Sequence, residues 1–91
     1  FSNQDYLGIV TCYDKETHLC TMNQRNYFSV GDMVEIFMPN GKRIISKVKK
    51  LYNEEMEPIS KANHANEKLY FYSDDEILAN SMIRRVYEKD N

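Results

Sequence analysis

The sequence predicts an all-β fold, a small closed or nearly closed β-barrel of about six strands, in a single domain spanning residues 1–91. Three observations lead there. Apolar, β-branched and aromatic residues recur in short runs with a period of two, the signature of strands. Turn-forming residues separate these runs at regular intervals. Finally, no amphipathic stretch is long enough for a helix that could cover a sheet. The strands must therefore bury their apolar faces against one another, and a barrel does so while removing exposed edges.

The first run, YLGIVTCY at residues 6–13, is followed by the polar turn DKETH at 14–18 and a returning run, LCTMNQ, at 19–24. Together they read as an antiparallel hairpin. Cys12 and Cys20 fall opposite each other across it, and Val10, Cys12, Cys20 and Met22 are expected to share one face. Small buried hydrophobes suit that face. A cross-strand disulfide and half of a metal site are the other readings, although no second cysteine pair accompanies them. A turn at Gly31-Asp32 then launches MVEIF at 33–37, with Phe28, Val34 and Ile36 as core positions. Asn40-Gly41 within PNGK (39–42) is a strong hairpin signal. RIISKVKKLY at 43–52 returns, long enough to need a twist or a bulge. NEEMEP at 53–58 reads as a loop. KLYFYS (68–73) and MIRRVYE (82–88) are the last strands, and EKDN is a tail. Segments 59–67 and 74–81 are weakly patterned, and the first has material for one helical turn.

Composition narrows the function. A 42% hydrophobic share with 12% aromatics belongs to a folded domain. The net charge of −2 excludes a global basic field of the kind that generic nucleic-acid binders carry. Charge is unevenly placed, however. Lys42, Arg43, Lys47, Lys49 and Lys50 lie close together, and Glu54, Glu55 and Glu57 follow. No apolar stretch approaches the ~20 residues that span a bilayer, and no signal-peptide pattern opens the chain. Starting at Phe1 rather than at a methionine, the sequence is expected to be a piece of a longer protein.

No catalytic or metal-ligating constellation is present. His18 and His64 are distant in sequence and lack ligand-spaced partners. Gly8, Gly31 and Gly41 are scattered rather than grouped in a phosphate-cradling loop. His64, in the polar loop ANHAN, is expected to pin that loop through a hydrogen bond. The basic run on 43–52 reads first as a solvated strand face and second as a phosphate-contacting surface, which Arg84 and Arg85 would extend. Tyr27, Phe28, Tyr70, Phe71 and Tyr72 are candidates for stacking on bases, with at least one of the last three in the core. Gln24, Arg25 and Asn26 close the second run, where their side chains can satisfy backbone groups freed as the chain leaves the sheet.

The stretch from Tyr6 to Gly41 resembles the start of the C-terminal domain of the collagenase-like peptidase family, U32. The matching positions are Tyr6, Leu7, Gly8 and Val10, then Gln24, Arg25, Asn26, Phe28, Gly31, Asp32, Val34 and Glu35. EPI at 57–59, His64 and SMIRR at 81–85 fit looser blocks. Three departures stand out, since His18 and Met56 occupy places where the family has glycine, and Ala65 follows His64 where the family tends to have proline. The resemblance implies a small barrel similar to those of translation factors, appended to a larger N-terminal region that carries any catalysis. Relatives are described as collagenase-like proteases, and some act in hydroxylation of tRNA or ribosomal RNA. No cofactor carries over.

The leading expectation is thus a non-catalytic accessory domain assisting recognition of a macromolecular substrate, collagen-like protein or RNA. Its charged surface would comprise Arg25, Lys47, Lys49, Lys50, Arg84 and Arg85. The motif of Gln24, Arg25, Asn26, Phe28, Gly31, Asp32 and His64 would be structural. The alternatives are a structural domain packing on the parent's own N-terminal catalytic region or on a second subunit, an RNA-binding module, and a contributor of His64 to a composite active site. No membrane partner is expected, and the expected location is cytoplasmic, with secretion of the parent left open.

Overall fold

In the computed structural model the described residues are 6–64 and 67–86, and all their regular structure is antiparallel β. β1 (Tyr6–Asp14), β2 (Leu19–Gln24), β3 (Phe28–Ser29), β4 (Met33–Phe37) and β5 (Arg43–Lys47) occupy the first half. β6 (Leu51–Tyr52), β7 (Pro58–Ile59), β8 (Lys61–Ala62), β9 (Lys68–Tyr72) and β10 (Met82–Arg85) follow. The principal sheet runs β5-β4-β10-β1-β2-β9-β6-β7, and β3 pairs with β8 beside it. The last strand, β10, therefore lies inside the sheet, between β4 and β1.

The two ends of that order are joined through the chain itself. Run 43–52, read from sequence as one long strand, is divided into β5 and β6 by Val48, Lys49 and Lys50. Its first part pairs with β4, and its second part pairs with β9 at the other end of the sheet. The ladder between the ends stays open, so the barrel is nearly rather than fully closed. Counting β5–β6 as one bent strand, the principal strands are the six that the sequence predicts. Segment 59–67 differs. Among its described residues it forms strand, with β7 paired to β6 and β8 to β3, rather than a helical turn.

Alternation places one apolar set inside. Leu7, Val10, Cys20, Met22, Phe28, Val34, Ile36, Leu51, Leu69, Phe71 and Ile83 form the core. Met38, Val48 at the bend, Ala62, and Ile77 in the segment before β10, complete it. Tyr70 and Tyr72 flank the buried Phe71 and are half-buried.

Cys12 departs from expectation. Val10 pairs with Met22, but Cys12 pairs with Thr21, so Thr11 is an extra residue in β1. This bulge reverses the alternation beyond it. Cys12 turns outward, its thiol 3.3 Å from Thr21 Oγ1, while Cys20 stays buried and Tyr13 packs against the core. The two cysteines are free and face opposite sides, which excludes an intramolecular disulfide in this fold. Burial pushes the Cys20 thiol up to about 12, so it behaves as a small hydrophobe.

His18 and Met56 carry left-handed backbone, with φ of 61° and 63°. The turn before His18 is held by Asp14, whose carboxylate accepts from the N–H groups of Glu16 and Thr17 and whose carbonyl accepts from His18 N. Asn53 plays the same part before Met56, with Oδ1 accepting from the N–H groups of Glu55 and Glu57.

Candidate functional site

The chain between β2 and β4 is anchored by the polar triplet. Gln24 is fully buried, and its side-chain amide donates to the carbonyls of Ala62 at 2.7 Å and Asn26 at 3.1 Å. Asn26 Nδ2 donates to Tyr6 O at 2.6 Å, and Arg25 N to Leu7 O at 2.7 Å. After Phe28, Asp32 Oδ2 accepts from Ser29 N at 2.8 Å, and Gly31 N donates to Val48 O. Gly31 has φ 99°, which only glycine adopts without strain.

These bonds hold one wall of an open groove of about 740 Å³, lined among others by Tyr27, Ser29, Asp32, Met33, Lys47 and Arg85. Pairing of β4 with both β5 and β10 brings Lys47 and Arg85 to the groove from opposite sides. Arg85 donates one guanidinium N–H to Tyr27 O, which fixes its head group. Its Nε is buried and has no partner among the described residues. Lys47 is exposed, with no ion pair among the described residues. Tyr27 is 60% exposed. Asp32 is the acidic group on the wall, and its carboxylate is turned into its own loop. The groove thus combines two cations, a wet aromatic ring and little opposing charge.

The remaining basic residues named from sequence are distributed elsewhere. Lys49 bonds Asp74 at 2.7 Å, and Lys50 lies 5.2 Å over the Tyr72 ring. The hydrogen bond from Lys49, with a second from Tyr72, holds the Asp74 carboxyl below its usual range. Each of these bonds raises its own donor, Lys49 in the first and the Tyr72 hydroxyl in the second. Arg84 lies 4.0 Å from Glu35, which Arg43 also approaches at 3.5 Å. Arg25 is exposed just past β2. The bend at 48–50 and these acidic neighbours divide the basic run, and of the six only Lys47 and Arg85 meet in one cavity.

His64 is exposed beside a second, smaller cavity of about 150 Å³. Its carbonyl accepts from Glu67 N at 3.3 Å, a backbone tie within the loop. His18, unremarkable in the sequence, joins a network. Its Nδ1 lies 2.8 Å from Tyr13 Oη, which donates to Ser73 O, and its ring tilts against Tyr72. These contacts tie β1, the turn before β2 and the end of β9 together, so the network stabilises the barrel end. Among the described residues no three or more His, Cys, Asp or Glu side chains converge as a metal site. Nor, among the described residues, is any helix long and apolar enough to cross a membrane.

Residues 2–84 match the family model described as the peptidase family U32 C-terminal domain. A curated relative from Bacillus subtilis, named tRNA hydroxylation protein P1, is 31% identical over 81 residues, covering 89% of this chain and 19% of the relative. The chain thus spans about a fifth of that relative's length. Two solved structures of the C-terminal domain of a U32-family protein from Geobacillus thermoleovorans superpose with TM-scores of 0.86 and 0.83. They are 28% and 30% identical, covering 96% and 88% of this chain and 98% of each of theirs.

Proposed function

The chain belongs to the peptidase family U32 C-terminal domain family, and from that premise we propose that it is a non-catalytic accessory domain that helps hold an RNA substrate for the larger region of a longer protein. The observation that carries this reading is the groove, where Lys47 and the Arg85 guanidinium stand beside the exposed Tyr27 ring. A phosphate between two cations and a base on an aromatic face are what single-stranded RNA offers. Sequence-specific reading is left to other parts of the protein. The name of the Bacillus subtilis relative favours RNA over a collagen-like protein as the macromolecule. It also fits a cytoplasmic location.

Affinity of the full-length protein for tRNA, followed by fluorescence anisotropy across a salt series, tests the proposal. Replacing Lys47 by Glu is expected to weaken binding at least tenfold and to flatten the salt slope, and Tyr27→Ala to weaken it severalfold. Lys49→Glu, at a lysine already paired with Asp74, is expected to do much less. Equal losses at Lys47 and Lys49, or none at either, would reject the groove as the RNA contact.

A further inference from the structure

The outward face of β5, β4, β10 and β1 carries two cross-strand rows that the groove does not use. One row is Ile45, Glu35, Arg84 and Tyr6, and the other is Arg43, Phe37, Met82 and Ile9. Residues directly opposite on neighbouring strands lie side by side on one face, so Phe37, Met82 and Ile9 form a continuous apolar stripe with Ile45 diagonal to it. Ile45 is 60% and Met82 49% exposed. Among them sits Glu35, its side chain only 12% exposed, between the guanidinium groups of Arg43 and Arg84. Arg43 also lies over the Phe37 ring. Solvated sheet faces usually carry polar side chains, so large aliphatic residues at two exposed positions mark a contact surface.

We propose that this face docks on the polypeptide region that precedes the domain in longer members of the family. Its chemistry favours protein over nucleic acid, because both arginines of the face are drawn towards Glu35 and the stripe beside them is apolar. The occupant follows from connectivity. β1 is one of the four strands of the face, and the described chain enters it at Tyr6, within the first row. The Bacillus subtilis relative is matched over only 19% of its length, so most of that protein lies outside the domain. A region tethered beside the face meets it at an effective concentration on the order of millimolar, so a modest patch suffices. A stable dimer needs about 800 Å² from each partner, near an eighth of this domain's 6008 Å² surface. A four-residue stripe falls well short of that. The inference does not depend on the RNA reading of the groove.

Maleimide labelling of the full-length protein tests it. Single cysteines are introduced by Ile45→Cys, Met82→Cys and, as a control on the distant β6–β7 turn, Met56→Cys. All are placed in a Cys12→Ser background, and labelling of each introduced cysteine is read site by site by peptide mass spectrometry, in native buffer and relative to the same peptide in urea, so that Cys20 does not contribute. All three positions are exposed, so none disturbs the core. Docking predicts labelling at 45 and 82 at least tenfold slower than at 56, at every protein concentration. Similar rates at all three positions would overturn the proposal. Protection that fades on dilution would overturn it too, assigning the face to a second copy.

Discussion

Replacing Gln24 by alanine or by glutamate probes the buried clasp that carries the chain from β2 towards β4. The Gln24 amide donates to Ala62 O and Asn26 O inside the barrel. Alanine removes both bonds and leaves two buried carbonyls short of a donor, at about 1 kcal/mol each. It also removes a buried methylene, about 0.8 kcal/mol more. The expected loss is about 2–3 kcal/mol, which lowers the midpoint of thermal unfolding by about 10–20 °C for a domain of this size. Glutamate keeps the shape but, once ionised, points negative charge at the same two carbonyls. Its folded pKa must therefore rise above the ordinary value of about 4.3. The sign follows from linkage, since a group protonated more readily in the folded state favours folding at low pH. Relative to wild type, Gln24→Glu should thus be most stable below about pH 4 and lose about 1.4 kcal/mol per unit of pKa rise as pH climbs through that interval. Urea unfolding of wild type and both variants between pH 4 and 8 measures this. A Gln24→Glu difference independent of pH, or an alanine variant within 0.5 kcal/mol of wild type (about the spread of a surface substitution), would refute the clasp.

Met56→Gly should stabilise the domain by about 0.5–1 kcal/mol, because relief of the left-handed backbone outweighs the extra freedom of an unfolded glycine. Met56→Ala should not, and thermal melts separate the two. At Gly8 an added Cβ would stand 2.3 Å from Asn23 O in the neighbouring strand, so Gly8→Ala should cost about 3 kcal/mol or prevent folding, judged by urea titration. Native protein should yield one thiol to a disulfide reagent, Cys12, with Cys20 appearing only in denaturant. The Lys49–Asp74 pair should persist between the two ordinary pKa values. The Asp74 side is lost as pH falls below about 3.8 and the Lys49 side as pH rises past 10.5. NMR titration of Asp74 should show its depressed pKa rising part of the way back in Lys49→Met, with the Tyr72 hydrogen bond still holding it down.

Much of the fold was legible because a period of two is a local property. Each principal strand announces itself through its own residues, and Asn40-Gly41 fixes one hairpin without outside help. What escaped depends on parity or on partners. The extra residue at Thr11 changes nothing in composition yet reverses which side Cys12 faces. The pairs β3 and β8 are two residues long, too short to leave a pattern. The groove was half visible. Lys47, Arg85 and Tyr27 stood among the candidates as types. Their meeting, though, requires β5, β4 and β10 to lie side by side, and only the assembled sheet reveals that. The acidic partners of Lys49 and Arg84 lie 25 and 49 residues away in sequence, beyond any local reading.

The place of β10 bears on how the molecule is made. The last strand among the described residues, it inserts between β4 and β1, which both emerge from the ribosome long before it. Until it arrives, each presents an unpaired edge, and Ile83 is missing from the core. The domain can therefore close only after β10 has been synthesised. A product that stops short of Met82 keeps two open edges, a form well suited to recognition and removal by proteases.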